Sequence, residues 1–445
     1  MRLHCIEMEI IQIYQNLLPE INQIQLIDTH EHLLPEPEYL KTKQNFFNLF
    51  FQHYASSDLI SAGMDIKALE YLRMSDESAE KKWIKFFPFW QNMENTTFAR
   101  VLKIAAKDLF NIDEISKETV SDLCKQIQAK YKPGWYDHVL REKAGIKMIY
   151  VRSTIANMKF YPSYFLPIVT SDQFLEIKSL PDIAQLEDDM NIKIHTLKNL
   201  TDAIEKYYTE ARQKGAIGIK MTQAYKRSLS FKKRTFFEAE SIFNKIFYGT
   251  GLIPHWNQNS GLNSEERKPL VDFLMHTIVR MAGELGLVVQ IHTGFQEGQG
   301  NYITNANPTL LTNLFLEYSN TRFDILHCGF PYHLELACLA KNCPNVYPNM
   351  TWIYCIGSTI AGRILSDWFD IIPINKILGF GGDYHFVEGV YGHAQIARQT
   401  VTRILSEKIA EGLWTEKQAM GFGQKLFSEN AEVIYNSDNR GDSLI

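Results

Sequence analysis

IQLIDTHEHL, residues 24–33, is the stretch from which the fold can be read. Ile24, Leu26 and Ile27 make a short apolar run bounded upstream by polar residues, which predicts a buried strand. The run ends in Asp28-Thr29-His30-Glu31-His32. Residues two apart in an extended chain face the same side. His30 and His32 therefore project together from the strand's end, and Glu31 points the other way. Two imidazoles side by side suit a divalent transition metal. A solvated histidine pair is the plain alternative, and the rest of the chain decides between them.

The chain has 445 residues, 45% apolar and 22% charged, the mix of a soluble globular protein. Its length allows two or three domains, but α/β barrels often exceed about 250 residues as one. A net charge of -5 gives no basis for a nucleic-acid partner. No apolar run is long enough to span a bilayer, so no membrane partner is expected. The N-terminus lacks the basic region, apolar run and cleavage site of a secretory signal. The six cysteines show no paired spacing, so reduced thiols and a cytoplasmic location are expected. A symmetric homo-oligomer is the expected assembly.

A leading helix over 6–20 carries Ile10, Ile11, Ile13, Tyr14, Leu17 and Leu18 at helical spacing. From 35 to 141 the pattern is mostly helical and rich in aromatic residues such as Phe46, Phe47, Phe50 and Phe51, which read as core. Strand signals then alternate with helices at 145–153, 165–175, 215–222, 287–294, 323–329, 345–350 and 376–383. With the first, that makes eight. Several are near-continuous apolar runs, as parallel strands covered on both faces require. The expected fold is α/β, a (β/α)8 TIM-type barrel with a helical insertion after strand 1. Its parts are 1–34 (leading helix and strand 1), 35–141 (insertion) and 142–445 (the remaining barrel). An open doubly wound sheet is the structural alternative, but its glycine fingerprint is missing after the first strand.

Active sites of such barrels lie at the C-terminal ends of the strands. Ligand-type residues fall there: His30 and His32 on strand 1, Lys220 on strand 4, His292 on strand 5, His327 on strand 6 and Asp383 on strand 8. Taken singly, each has a bland explanation, such as a satisfied core histidine or a capping aspartate. Four histidines and one aspartate at the same end of four strands point to a metal site.

The chain resembles the amidohydrolase superfamily of metal-dependent (β/α)8 barrels. The matching residues are DTHEH at 28–32, QIHTG at 290–294, ILHCGFPYH at 325–333 and FGGD at 380–383. More narrowly it is similar to the amidohydrolase-2 branch, which includes nodulin-like proteins and the amidohydrolase half of glutamine-synthetase fusions. IGIKMTQAYKRSL at 217–229, and HTGFQEG followed by ANP, fit that branch. The resemblance implies that His30, His32, His292 and Asp383 hold the metal. It implies that Asp383 takes the proton from the attacking water. His327 would orient that water or polarise the substrate, or bind a second ion in two-metal members. Lys220 occupies the place where some two-metal members carry a carbamylated lysine. One divalent ion is expected, Zn²⁺ first, with two as the alternative.

Such an ion lowers the pKa of water from about 15.7 to about 7, and Asp383 within hydrogen-bond reach would accept the proton. A donating His327 would stabilise the oxyanion. The expected activity is hydrolysis of an amide-like C–N bond in a small polar or anionic substrate. Arg152, Tyr225 and Arg227, with Lys226, are candidate substrate-binding residues if they reach inward, since guanidinium forks suit carboxylate or phosphate. Glu297 is a candidate proton donor to a leaving group, and Tyr384, His385 and Glu388 are candidates for the pocket mouth. Two other reactions compete. The DTHEH start and the helical insertion also resemble uronate isomerases, although the GGDYHF segment lacks their Asp-Ser-Arg sequence. Related amidohydrolase-2 barrels decarboxylate aromatic acids. A non-catalytic, metal-stabilised binding domain is the remaining alternative.

Overall fold

The computed structural model of the protein describes residues 2–249 and 261–436. Seven parallel strands form one curled sheet in chain order. They are β1 (Leu26–Glu31), β2 (Ile146–Ser153), β3 (Phe165–Thr170), β4 (Gly218–Met221), β5 (Val288–Ile291), β6 (Phe323–Ile325) and β7 (Val346–Pro348). Helices run between successive strands, the pattern of an α/β barrel. The register pairs Ile168 of β3 with Gly218 of β4, and Val289 of β5 with Phe323 of β6. None of the described helices is long and apolar enough to cross a membrane.

The eighth position differs from the expected regular strand. Residues 377–383 make one bridge, Leu378 with Asn349, the residue just after β7. Leu378 N donates to Pro348 O at 3.0 Å and accepts at its carbonyl from Met350 N at 2.8 Å. On the other side, Thr29 N donates to Phe380 O at 3.1 Å and Asp383 N donates to His30 O at 2.8 Å. The segment thus joins β7 to β1 and closes the ring without a continuous ladder. Its glycines explain the departure. A Cβ on Gly381 would overlap Thr351 Oγ1, and one on Gly382 would overlap the Glu31 carboxylate. The segment ends with Asp383 in the left-handed region, φ 63°. Only residues without a side chain let the backbone approach so closely.

Two other strands stop earlier than their apolar runs. β3 ends at Thr170, where Asp172–Leu175 turn into a short helix. β6 ends at Ile325, and His327 and Cys328 follow with φ of 63° and 55°. His327 is therefore aimed by a left-handed turn rather than by strand alternation.

Seven helices follow β1 before the π-helical turn Asp137–Lys143 leads into β2. Their interior is aromatic: Phe46, Phe47, Phe50, Phe51, Phe86 and Trp83 are all buried. Edge-to-face contacts, such as Phe47 with Phe86 at 6.1 Å between centroids, add to the area buried. The insertion is tied to the barrel's last long helix, Val387–Ala410, by a buried acid. Glu388 accepts from Trp135 Nε1 at 2.7 Å and from Tyr39 OH at 3.1 Å.

The closing segment yields a stability test. Gly382→Ala should destabilise the fold by about 1–3 kcal/mol, the range for forced overpacking. Gly421→Ala, inside the helix Glu416–Gln424 with nothing near its added Cβ, should stabilise by about 0.5–1 kcal/mol. Chemical denaturation of both variants checks the contrast.

Candidate metal centre

The ends of β1 and of the closing segment bring three ligand atoms together. His30 Nε2 lies 3.2 Å from His32 Nε2 and 3.4 Å from Asp383 Oδ1. His32 Nε2 lies 3.0 Å from that same oxygen. Atoms about 2.0–2.1 Å from a tetrahedral ion are separated by roughly 3.3–3.4 Å, so the triangle has the dimensions of a shared cation site. These are the residues among those described whose ligand atoms cluster in this way.

The tautomer of His30 follows from its other nitrogen. Gln290 Nε2 faces only acceptors or a hydroxyl: Thr29 O at 2.7 Å, Asp324 Oδ2 at 3.0 Å and Tyr435 OH at 2.7 Å. Its Oε1 therefore accepts, and His30 Nδ1, 2.8 Å away, must donate. This leaves Nε2 with a lone pair directed at His32 and Asp383. Asp324 also accepts from Asn349 Nδ2 at 2.9 Å. The network is rooted in β5, β6 and the residue after β7.

Burial shapes the protonation of the site. It pulls His30 down to about 3 and His327 down to about 4, so both are neutral near pH 7. Burial alone would raise the Asp383 carboxyl, but the imidazoles of His30 and His32 beside it prevail and hold it well below the usual range. Behind the triangle, burial pushes Asp28 up to about 6 and Glu31 well above its ordinary value. Glu31 points away from His30 and His32, as alternation predicts. Its Oε2 accepts from Tyr384 N at 2.8 Å, and Asp28 Oδ1 accepts from Gly382 N at 2.9 Å. This carboxyl pair holds the loop that presents Asp383.

The other residues singled out from the sequence separate into groups. His292 Nδ1 is 3.0 Å from His327 Nε2, and its Nε2 is 3.2 Å from Phe295 O. Both of its nitrogens thus have protein neighbours, and it stands outside the triangle. His327 Nε2 is 3.8 Å from Asp383 Oδ2. Lys220 is buried, and its Nζ has no hydrogen-bond partner among the described residues. Burial draws it down to about 8, with the charge of Asp383 opposing. Arg152 is partly exposed and 3.5 Å from Asp172 Oδ2. Tyr225 lays its ring against His292, 4.6 Å between centroids. Arg227 departs from the inward-reaching role. Its guanidinium is buried against Asp272 Oδ1 at 2.8 Å, because the chain after Tyr225 folds Ser228 and Ser230 carbonyls onto it.

The insertion contributes residues that no pattern had marked. His53 is buried, with φ 52°, and its ring lies 4.6 Å from that of His385 and 5.1 Å from that of Trp352. His385 in turn lies 5.2 Å from His32. His53 Nδ1 is 3.4 Å from Glu297 Oε2, and Tyr54 stacks on Phe295 at 5.2 Å. Burial and the charge of Asp383 push Glu297 up to about 7. The FFQHY run at 50–54 reads as core aromatics, so nothing in the sequence separated His53 from its neighbours.

With this geometry in place, the comparisons with known proteins can be set beside it. A family model described as "Amidohydrolase" matches residues 244–435, which include His292, His327 and Asp383. The match takes in the C-terminal part of the chain, a little under half of its length. Protein fluG of Emericella nidulans is 26% identical to this chain over 176 residues, 38% of this chain and 20% of fluG. The chain thus matches only a fifth of the length of that relative. A uronate isomerase from Thermotoga maritima superposes with a TM-score of 0.79 at 15% identity, covering 96% of this chain and 97% of the other. A protein provisionally named a metal-dependent hydrolase, from Lactobacillus casei, gives 0.64 at 16% identity, covering 95% and 98%. At such identities these structures establish the shared fold.

If the buried amide of Gln290 sets the tautomer of His30, Gln290→Leu should weaken divalent-metal affinity by about 10–100-fold. Competition with a chromophoric chelator measures this, and circular dichroism shows whether the fold persists.

Proposed function

We propose that this protein is a divalent-metal-dependent hydrolase that cleaves an amide-like C–N bond in a small polar or anionic substrate. The observation that carries the reading is the Asp383 carboxylate. Its Oδ1 shares the histidine triangle, its Oδ2 is 3.8 Å from His327, and the neighbouring imidazoles hold its pKa well below the usual carboxylate range. Three protein ligands leave the fourth position of a tetrahedral ion for water or substrate, as a catalytic rather than a structural site requires.

His30, His32 and Asp383 would hold the ion, Zn²⁺ or a similar divalent cation, with His292 and His327 beside it. When bound, it supplies Lewis acidity toward a substrate oxygen and toward water. Asp383 Oδ2 takes the proton from the water that attacks the carbonyl carbon. Neutral His327, whose Nε2–H faces His292 Nδ1 in the free protein, would redirect that N–H to the developing oxyanion, a role that needs no positive charge. Glu297, near half-protonation at neutral pH, passes its proton to the leaving nitrogen as the C–N bond breaks. Arg152, partly exposed beside Asp172, would be the cation for a substrate carboxylate.

A second reading is isomerisation of a sugar acid. The observation in its favour is the likeness to a uronate isomerase over almost the whole chain, insertion included. That insertion sets His53 and Tyr54 beside the site. His385 stands two positions after Asp383, where the Asp-Ser-Arg sequence of uronate isomerases would place an arginine, and this weakens the isomerase reading.

Metal-replete protein should hydrolyse at least one member of a broad panel of acyl amides, cyclic amides, lactones and esters. Chelation should remove the activity and Zn²⁺ restore it. Asp383→Asn should lower kcat by about 10²–10⁴-fold while the thermal transition persists. Ketose formation from glucuronate or galacturonate, or CO₂ release from aromatic acids, without hydrolysis of the panel, would overturn the hydrolase reading.

A further inference from the structure

The cations that follow β4 gather at a place other than the metal centre. A cavity of about 260 Å³ lies between the loop after β3, the turn after β4 and the start of the helix Ser264–Leu285. Lys178, Lys226, Arg227 and Arg267 stand on its wall. Glu176 and Asp182 are the acids there, so the wall carries a surplus of positive charge. Asp182 is already engaged: its Oδ2 accepts from Lys178 N, Ser179 N and Ser179 Oγ at 2.7–3.0 Å.

Three buried donors on this wall have no partner among the described residues: Arg227 Nη1, Arg267 Nε and Gln223 Nε2. The Arg227 side chain is 4% exposed, and Gln223 is 2% exposed. The remaining nitrogens of Arg227 are taken, Nε by Ser228 O at 3.1 Å and Nη2 by Ser230 O and Asp272 Oδ1 at 2.8 Å. Arg267 spends Nη1 on Ile177 O at 3.2 Å. Leaving buried N–H groups unpaired is costly, more so when they are charged. Burial lowers the pKa of Arg267, the like charge of Arg227 adds to the shift, and Glu176 and Asp182 oppose it. Two guanidiniums held together beside unpaired donors ask for an anion between them.

We propose that this cavity is an oxyanion site, distinct from the metal centre, which takes a phosphoryl group. Donors from three separate chain segments fit an anion with oxygens pointing in several directions better than a planar carboxylate, which one guanidinium fork would satisfy. The volume falls just under the ~300–1,000 Å³ of drug-sized sites, which matches inorganic phosphate or a short phosphomonoester. The site also adjoins the active centre. Gln223 and Lys226 flank Tyr225, whose ring rests on His292. An occupant would thus brace the turn that forms one wall of the metal site.

The test is isothermal titration of the metal-replete protein with inorganic phosphate and, separately, with glycerol phosphate, at matched ionic strength. Saturable one-site binding is expected. Arg267→Gln and Lys226→Gln should each weaken it by at least about tenfold, while Lys198→Gln, a surface control, should leave it unchanged. Lys226 is exposed, so its variant keeps the test valid if Arg267→Gln fails to fold. Tighter binding of phosphate identifies the free ion as the ligand, and tighter binding of the ester identifies a phosphorylated small molecule. Binding that does not saturate, or that survives both substitutions because phosphate sits at the metal centre, would overturn the proposal.

Discussion

The hydrogen bond from His30 Nδ1 to Gln290 Oε1 is the contact on which the rest of the site depends. It spans the barrel interior from β1 to β5. Because the Gln290 amide nitrogen faces Thr29 O, Asp324 and Tyr435, the amide cannot flip without setting an N–H against His30. The imidazole is thereby fixed in one tautomer, with its lone pair toward His32 and Asp383. Burial keeps the ring neutral, and Lys220 adds to that by like-charge repulsion. A polar network in a barrel core is costly unless every member is satisfied. Here most members are paired with one another, and the free lone pair of His30 is directed at the candidate ion site.

The second constraint is steric. Asp383 reaches the triangle because the closing segment passes so near β1 and Thr351 that two successive positions must be glycine. The same approach breaks the eighth ladder and leaves Asp383 in a left-handed conformation. Regular strand geometry is given up where the carboxylate has to be aimed, and Asp28 and Glu31 hold the loop from behind by accepting its amides. Backbone strain of this kind is commonly found at functional sites.

Much of this was legible in the sequence. The apolar runs located the strands, and the rule that barrel chemistry gathers at the C-terminal strand ends brought His30, His32 and Asp383 together. The exact path of the chain past each strand was not legible. Period-2 alternation aims side chains only while the strand lasts, and β6 stops two residues short of His327. Arg227 read as a substrate ligand because sequence order placed it after β4, yet the partner that captures it, Asp272, is 45 positions away on a helix. His53 was hidden for another reason. Its neighbours are core aromatics, and only the packing of the insertion over the barrel mouth sets it beside Glu297 and His385.

The proposed chemistry requires that the triangle hold a cation. The most direct measurement is an anomalous difference map from a crystal of the Zn²⁺-loaded protein. The account predicts a single dominant peak about 2.0–2.2 Å from His30 Nε2, His32 Nε2 and an Asp383 oxygen. Zn²⁺ bound only elsewhere, with this triangle closed by direct hydrogen bonds, would contradict it.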